Sequence, residues 1–459
     1  NTSGVQYHEI HSNSEIQILA KTGDIQLLGG GTDQWFTMQG ATMYLGSKSG
    51  VNGGTSSSNI IFQSDDFYLY ASSSFNFATT GTVTIRSVNN SFRDAQSLST
   101  FTLNDNSKTM SGFTFGKSTN TSDITLDSAI SVNGPIKAYT TGTGTVTLTA
   151  NLVSASGTSL IQGELEGTGD FTQTTGTLQV NATGNNSSYT GDIKGDGAFT
   201  KLGDSILALS GANTYTGDTT ISAGTLTIDG SGTLEGGDYD GAISNSGTFI
   251  YSSTTDQTLA GVISGTGVLT KEENSTLTLT NANTYTGLTT VSAGTLTLDQ
   301  ASSTTGTVIK DTNAVTVNGG ILNLADNTET IGALTLTSGS ITGTNKTLTG
   351  SSYTLNPGEG VSVSIQPILA GSGINLTKSA AGTATLSGAN TYTGTTTISA
   401  GTLTVTGTLS DSTDVSNSGI YDVDAADIIN RIRSLSGTGA VEIASGVTLT
   451  TGDDGEDII

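Results

Sequence analysis

The sequence predicts an all-β protein built as a parallel β-helix, or solenoid, that forms a single elongated rod. Three observations point to this class. The chain of 459 residues is rich in Gly and Thr but has only 3 Pro. Its Val, Ile and Leu residues alternate with Thr and Ser, which is typical of strands with one buried face. One motif returns three times along the chain, and internal repeats of this kind indicate stacked units.

The composition excludes several functional classes. With Cys 0, the chain has no disulfide scaffold, thiol catalysis, zinc–cysteine site or iron–sulfur cluster. Two His leave little room for histidine metal sites or a histidine proton relay. A net charge of −24 argues against nucleic-acid binding. Charged residues make up 12% and apolar residues 33%. Such values also occur in disordered chains, but the regular alternation with β-branched Thr favours strands.

No apolar run of about 18 residues is present, so we expect no membrane insertion by a helix of this segment. The chain begins at Asn1 rather than Met. We therefore expect a processed protein or a fragment, which continues beyond its last residue.

The repeats decide the architecture. The motif Gly-Ala-Asn-Thr-Tyr-Thr-Gly at residues 211–217 recurs, with one change, at 281–287 and again at 388–394. Each copy is followed by an arm of the type Thr-Thr-Ile-Ser-Ala-Gly-Thr-Leu-Thr-Ile. Each copy is also preceded by a short strand that ends in a lysine, at Lys201, Lys271 and Lys378.

Within each arm the apolar residues alternate with Thr, as in Leu226 and Ile228 or Leu296 and Leu298. Ala-Gly, Asn-Gly and Gly-Ser pairs between the arms are turn signals, and Gly is suited to corners with positive φ. The unequal spacing of the copies favours a solenoid, because each turn contacts only its neighbours and extra turns are tolerated. The one weak candidate for a helix is the segment 428–433.

The repeated motif resembles the passenger-associated transport repeat of bacterial autotransporters, also called the autotransporter-associated β-strand repeat. Residues 115–126, with Gly-Pro-Ile at 134–136, and residues 142–152 resemble filamentous-haemagglutinin-type adhesins. The resemblance implies a right-handed β-helical stalk in a large surface or secreted protein, and therefore an extracellular or bacterial cell-surface location.

We expect three regions along the chain. Residues 1–110 form an N-terminal part of the solenoid, or a cap, with an aromatic-rich core. Residues 111–194 form a β-helix with degenerate repeats. Residues 195–459 form a β-helix with autotransporter-type repeats.

Two histidines, His8 and His11, flank Glu9 and Ile10 and could suggest a metal site. The zinc motif His-Glu-x-x-His places both His on one face of a helix. Here the spacing is one residue shorter and the surroundings are strand-like, so the two side chains would point to opposite faces. We interpret them as a surface pair.

Carboxylates offer two further hypotheses, calcium binding and acid–base cleavage of polysaccharides. On a strand, alternate residues such as Asp422 and Asp424 share a face, which suits calcium ligation. The acids are scattered and have few basic partners, so solvated turn carboxylates are the favoured interpretation. The candidates are Asp65, Asp66, Asp422, Asp424, Asp453, Asp454, Glu456 and Asp457.

Glycine-rich pieces at 29–31 and 265–267 lack the following helix of phosphate loops and are interpreted as corners. The repeat tyrosines Tyr215, Tyr285 and Tyr392 could form a ladder that binds sugars. Structural stacking at equivalent positions of successive turns is the favoured role.

The sequence therefore predicts a structural and adhesive stalk with no active site, no catalytic residue and no cofactor, calcium being the one candidate. Expected partners are other copies of the chain or the rest of a longer polypeptide, together with host or matrix glycans, and no nucleic acid. Two alternatives stay open. One is a filament subunit that stacks end to end, because head-to-tail contacts build open fibres. The other is a polysaccharide-degrading β-helix enzyme.

Overall fold

The computed structural model describes residues 15–17, 25–27, 35–45, 51–53, 59–69, 75–76, 81–87, 90–92, 94–98, 110–300, 307–424, 429–452 and 457–458. Side chains are described within residues 81–452 of these ranges. By internal contacts the chain divides into two compact units. The first comprises residues 1–227 with 232–236, and the second comprises residues 228–231 with 237–459.

The first 24 strands, β1 to β24, are Glu15–Gln17, Ile25–Leu27, Trp35–Leu45, Val51–Gly53, Asn59–Leu69, Phe75–Asn76, Thr82–Arg86, Gln96–Ser97, Gly112–Gly116, Ile124–Leu126, Ile130–Val132, Ile136–Tyr139, Thr145–Leu148, Leu152–Ser154, Thr158–Gln162, Glu164–Gly167, Phe171–Gln173, Thr177–Asn181, Ser187–Tyr189, Ile193–Lys194, Ala198–Leu202, Ile206–Leu209, Thr219–Ile221 and Thr225–Gly230.

A short 3-10 helix, Glu235–Gly237, precedes the remaining strands. Strands β25 to β51 are Asp238–Tyr239, Ile243–Asn245, Thr248–Ser253, Gln257–Leu259, Ile263–Gly265, Val268–Lys271, Thr276–Leu279, Thr289–Val291, Thr295–Leu298, Val315–Asn323, Glu329–Thr330, Ala333–Thr342, Thr347–Thr349, Ser352–Leu355, Ser362–Ile365, Ile368–Ala370, Leu376–Lys378, Thr383–Leu386, Thr396–Ile398, Thr402–Val405, Asp414–Asn417, Ile420–Val423, Ile429–Ile432, Ser434–Gly437, Ala440–Ile443, Thr448–Thr451 and Asp457–Ile458.

Most strands pair in parallel with a strand one turn further along the chain. In the first unit β21 pairs with β23, so that Phe199 stands beside Thr219. In the second unit β30 pairs with β32, so that Leu269 stands beside Thr289. One turn of the chain thus takes 20 residues at these points. The strands stack as a β-solenoid of about 16 turns, which confirms the predicted all-β parallel solenoid. Its handedness and its single-rod shape stay predictions.

The first unit contains one long parallel stack, β1-β3-β5-β7-β9-β12-β15-β18-β21-β23, and shorter stacks beside it. In the second unit one long stack is β27-β30-β32-β34-β36-β38-β41-β43-β45-β48. A second stack there is β28-β31-β33-β34-β36-β39-β42-β44-β46-β49. The long strands β34 and β36 belong to both stacks. In the described part of the chain, β50–β51 is the antiparallel exception among the named strand pairs.

The core is a set of narrow apolar columns, because alternate residues of each strand point inward. Strand β33 shows the pattern, with Leu296 and Leu298 buried between half-buried threonines. Leu277, Leu296 and Leu322 stand in register on three successive strands, each 0% exposed. A fully buried leucine contributes about 1.5–3 kcal/mol. One such row for each strand stack is enough to explain the low apolar share of the sequence.

Glycine is required where successive corners touch. Gly294, in the Ser-Ala-Gly corner of the second copy, has φ 60°, and a Cβ there would lie 2.2 Å from the carbonyl oxygen of Glu273 in the preceding turn. The corner therefore excludes any larger residue.

The segment 428–433, the one weak candidate for a helix, contains a strand instead. Ile429–Ile432 is strand β47, in which Asn430 and Ile432 are buried and the residues between them are exposed. It pairs in parallel with β50. The alternation of buried and exposed residues fits a period of two, and the pairing of the backbone with a neighbouring turn outweighs the weak helical pattern.

Candidate functional site: buried polar sets of the three repeats

The three copies of the repeat bury the same four polar residue types, and each group of four is called a polar set below. All twelve side chains are at most 4% exposed. Buried polar groups are nearly always hydrogen-bonded, so their partners reveal their role. The sets are Lys201, Asn213, Tyr215 and Thr219; Lys271, Asn283, Tyr285 and Thr289; and Lys378, Asn390, Tyr392 and Thr396.

The lysine of each set directs its ammonium group at backbone carbonyls. Lys201 Nζ donates to the carbonyl oxygen of Leu202 at 2.7 Å and to that of Gly203 at 2.8 Å. It also donates, at 3.4 Å, to the carbonyl of Ala223 in the next turn. The lysine therefore joins the corner of its own turn to the corner stacked on it.

The other two lysines make comparable contacts. Lys378 Nζ donates to the carbonyl of Ala380 in its own corner and, at 3.0 Å, to that of Ala400 in the next turn. Lys271 Nζ donates to the carbonyl of Glu273 at 2.7 Å. The sequence showed that a lysine ends this strand in each copy, but it gave no sign that the side chain is buried.

Burial lowers the pKa of Lys201 to about 8, although Asp204 opposes the change. Burial also lowers the pKa of Lys271 to about 8, against the effect of Glu273, and lowers the pKa of Lys378. Lowered lysine pKa values often mark functional sites. Here each lysine side chain is 0% exposed and enclosed by carbonyl oxygens, so no substrate can reach it.

The asparagine of each set links three successive turns. Asn213 Oδ1 accepts the backbone N–H of Ile193 in the preceding turn at 3.0 Å. Its Nδ2 donates to the carbonyl of Thr233 in the following turn at 3.0 Å. A further bond runs to the carbonyl of Gly211 at 2.9 Å. Both N–H donors and one acceptor position of this amide are therefore bonded to the backbone.

The same pattern holds in the second unit. Asn283 accepts from the N–H of Ile263 at 2.7 Å and donates to the carbonyl of Val308 at 2.9 Å. Asn390 accepts from the N–H of Leu369 at 3.0 Å and donates to a carbonyl of the following turn at 3.0 Å. The three asparagines therefore do the same structural work.

The repeat tyrosines are fully enclosed, so the hypothesis of a sugar-binding ladder is wrong and the structural role is confirmed. Each is at most 1% exposed. Tyr215 packs on Phe199 with ring centroids 5.7 Å apart, and Tyr392 packs on Tyr353 at 5.9 Å. The Oη–Oγ1 distances are 2.8, 2.6 and 2.7 Å for the pairs Tyr215–Thr219, Tyr285–Thr289 and Tyr392–Thr396.

Between the second and third copies a buried carboxylate takes over the acceptor role. Glu329 is 0% exposed. It accepts the N–H groups of Val308 at 3.0 Å and Ile309 at 2.6 Å from the preceding turn. Burial raises its pKa to about 7, the two N–H groups act against this, and Asp311 adds to it. The sequence analysis did not single out this residue, because an isolated Glu gives no signal of burial.

The predicted carboxylates lie apart from these sets. Asp422 is half-buried on the outward side of β46, beside Thr404 and Glu442 of the adjacent strands. Asp424 follows the strand and is exposed. Like charges on adjacent strands are unfavourable, so Asp422 and Glu442 gain nothing from each other. Within the described residues, no group of three or more His, Asp or Glu side chains is placed to hold a metal ion.

The side chains of several candidate residues lie outside the described part of the structure. Asp65 and Asp66 lie in β5, for which the backbone alone is described. His8, His11, the glycines at 29–31 and residues 453–456 lie outside the described residues. Calcium binding by these carboxylates therefore stays an untested alternative to the favoured interpretation as solvated turn residues. Among the described residues no helix is long and apolar enough to cross a membrane.

Comparison with known proteins matches the geometry of the polar sets. The family model of the passenger-associated transport repeat matches residues 199–228, 269–298 and 376–405. Each match starts on the strand that carries the buried lysine. It ends on the second strand of the next turn. One repeat therefore comprises four strands, the corners between them and one complete polar set.

The chain is also similar to a curated protein, the adhesin BmaC autotransporter of Brucella suis biovar 1 (strain 1330). The two are 31% identical over 309 residues, which is 63% of this chain and 8% of the relative. The chain thus spans less than a tenth of that relative. No solved structure matches the chain. The resemblance expected from the three motifs is confirmed: this chain is a parallel β-solenoid that carries passenger-associated transport repeats of the autotransporter type.

Proposed function

We propose that this chain is an extracellular structural and adhesive segment, a stalk of a bacterial surface or secreted adhesin, and that it catalyses no reaction. The observation that carries the proposal is the use of the polar sets. Three times, the repeat buries a lysine, an asparagine and a tyrosine–threonine pair. The three asparagines, together with Lys201 and Lys378, join neighbouring turns, and each tyrosine–threonine bond fixes the path of the chain within one turn. A sequence selected in this way favours a stiff, extended scaffold rather than a catalytic pocket.

The relatives point the same way. The repeat family is named for transport of passenger segments, and the curated relative is an adhesin. A net charge of −24 keeps a repetitive β protein soluble and limits lateral association. In this role the segment sets a distance from the cell and presents a surface to partners, which include host or matrix glycans and further parts of its own polypeptide.

The test of location uses the bacterium that makes the protein. Antibodies raised against residues 195–459 should label intact cells, and in-frame removal of this segment should reduce attachment to host cells or matrix. Labelling that requires permeabilised cells would contradict the extracellular assignment. Unchanged attachment would contradict the adhesive role.

The test of the non-enzymatic assignment uses the purified chain. Incubation with a panel of neutral and acidic polysaccharides should release no reducing or unsaturated sugar ends. Release that disappears when Asp422 and Asp424 are changed to Asn would establish a hydrolase or lyase instead.

A further inference from the structure

One outward face in the second unit carries an unbroken line of threonines. Strands β32, β34, β36, β38, β41 and β43 each place one threonine at the same register position. All six side chains are half-buried and point outward between two inward residues. At ~4.8 Å per strand, the line runs over roughly 24 Å. This threonine file consists of Thr290, Thr316, Thr335, Thr354, Thr377 and Thr397.

The outward-facing positions beside the threonine file carry no charged side chain. The outward positions two residues before and two residues after each threonine are occupied by Leu, Ala, Ser, Asn or Thr. Thr270 on β30 continues the line one turn before the file, but Glu272 lies at its next outward position, so the uncharged file begins at Thr290. Asp414 is the first charged neighbour one turn after the file. In a chain with a net charge of −24, six consecutive strands therefore share an uncharged outer face.

The hydroxyl groups of the file have spare hydrogen-bonding capacity. Within the described part of the chain, side-chain hydrogen bonds involve none of these six hydroxyls. The flanking positions differ, because Thr337 Oγ1 bonds to Asn318 Oδ1 at 2.7 Å and Ser379 Oγ to Asn356 Oδ1 at 3.0 Å. Each threonine offers one donor, two acceptor lone pairs and a methyl group. The file is thus a periodic line of small amphipathic groups.

The other outward face lacks such a line. Its threonines Thr278 and Thr297 are followed in register by Asn323. The neighbouring file passes through Thr404 and then reaches Asp422. This second face therefore offers hydroxyls of the same type without the uninterrupted, uncharged repeat.

The chemistry of the face selects its partner. Anionic partners such as nucleic acids and acidic glycans meet the overall negative charge, and basic proteins find their counter-charges at the acidic corners rather than here. A charged group pressed against this face would lose water without gaining an opposite charge. The partner that matches is uncharged, extended and rich in hydroxyl groups, with a repeat comparable to the strand spacing.

We propose that the threonine file is a binding surface for an uncharged linear polysaccharide. The inference rests on the proposed adhesive function and names the class of ligand and the face that binds it. Successive sugar units lie along the file and exchange hydrogen bonds with the threonine hydroxyls, while the methyl groups contact the sugar C–H surfaces.

The test compares two triple variants of the intact chain. Thr335→Val, Thr354→Val and Thr377→Val remove three hydroxyls of the file and keep the β-branched shape that suits a strand. The matched control, Thr278→Val, Thr297→Val and Thr404→Val, removes three hydroxyls from the other face. Binding to insoluble neutral glucans and mannans, and to the anionic alginate, is measured by co-sedimentation at 50 and 500 mM NaCl.

We expect the wild type to bind a neutral polysaccharide with little dependence on salt, since no charge takes part. The file variant should bind at least tenfold more weakly, and the control should stay within twofold. Thr→Ser changes at the same three positions, which keep the hydroxyls, should retain binding. Circular dichroism confirms that each variant is folded.

Three results would overturn the inference: no binding to any neutral polysaccharide, equal loss in both triple variants, or preference for alginate. Attachment of bacteria is measured in parallel with the same variants. Attachment that persists while neutral glycans do not bind would refute this surface and leave the adhesive function standing. Loss of attachment on removal of residues 195–459, with the file variant unaffected, has the same meaning.

Discussion

The third copy of the repeat and the turns just before it share one core but differ in their polar links. In the column of inward residues, Val317, Leu336 and Leu355 are followed in register by Lys378 and then by Ile398. The backbone pairing is parallel throughout, and its register shifts only around Asn318, between β34 and β36. The apolar core therefore does not depend on the repeat motif, because the intervening turns continue the same column without it.

The difference lies in how neighbouring turns are joined. Asn390 both accepts a bond from the turn before and donates one to the turn after. Glu329, in the intervening region, only accepts, from Val308 and Ile309. A carboxylate has no N–H to donate. The comparison teaches that the repeated residues of the motif specify hydrogen bonds between turns. The apolar columns require only that apolar residues alternate with polar ones along each strand.

The largest contrast should come from the lysine column. Lys378→Met keeps the approximate volume and removes the donor, which leaves the carbonyls of Ala380 and Ala400 without it. We expect a loss of about 3 kcal/mol in local stability, because two buried carbonyls lose a charged donor and each such hydrogen bond contributes about 1.5–3 kcal/mol. Leu355→Met, in the same column of the intervening turns, should cost less than about 1.5 kcal/mol.

Native-state hydrogen exchange of segments 352–405 measures both changes. Equal losses for the two variants would show that the lysine acts only as a core side chain.

The second contrast is one of pH, at Glu329. Its pKa of about 7 in the folded chain exceeds the ordinary value of 4.5, so folding favours the protonated form. The stabilising effect of protonation is complete below about pH 4.5 and is lost as the pH rises through about 7. The turn at 307–330 should therefore be less stable at pH 8 than at pH 4.5, by about 3 kcal/mol at most.

Exchange rates corrected for the intrinsic effect of pH measure this difference. The variant Glu329→Gln, which cannot titrate, should abolish it. A turn whose stability is independent of pH in the unmodified chain would contradict the assignment.

The third contrast concerns the asparagines. Asn390→Ala removes a bridge between three turns. It leaves the buried N–H of Leu369 without its acceptor and takes one of two donors from the carbonyls of Gly388 and Thr408, at a cost of about 2 kcal/mol. Asn356→Ala removes an exposed amide from the same unit and should stay within about 0.5 kcal/mol. Chemical denaturation followed by segment-resolved exchange gives both values. If Asn390→Ala loses no more stability than Asn356→Ala, the buried asparagine does not hold the turns together.

The smallest contrast is a series of Tyr→Phe changes. The hydroxyl of Tyr353 bonds to the carbonyls of Leu348 and Ala370 and to the N–H of Gly350, so its loss should cost about 2 kcal/mol. Tyr392→Phe removes one bond and should cost about 1 kcal/mol. The hydroxyl of Tyr421 is buried without a partner in the described structure, so Tyr421→Phe should cost nothing or stabilise the protein. Thermal unfolding of the three variants tests the predicted order, and any other order contradicts it.

The fold could be predicted because its signal is local and periodic. The alternation of Leu296 and Leu298 with threonine indicates a strand, and the three copies of one motif indicate stacked turns. The buried state of Lys201 or Glu329 could not be predicted in this way. It depends on which carbonyl or N–H groups the adjacent turns bring near, and that register is a property of the stacked structure. The short segment around Asn430 was a weak candidate for a helix, because so few residues hardly distinguish a period of two from one of 3.6.

The threonine file illustrates the same limit on the outside of the molecule. Each of its residues is an ordinary strand threonine in the sequence, and the line exists only because six turns stack in register. Because successive turns differ in length, the alignment of these threonines cannot be recognised in the sequence.

The most direct test of the central claim is residue-resolved hydrogen exchange of the unmodified chain at neutral pH. The amides of Ile193, Ile263 and Leu369 donate to asparagine side chains of the next turn. They should exchange as slowly as amides in the centre of the strand stacks. Fast exchange of these three amides, at the rate of those in exposed corners, would show that the repeat motif does not hold its turns together through buried side chains.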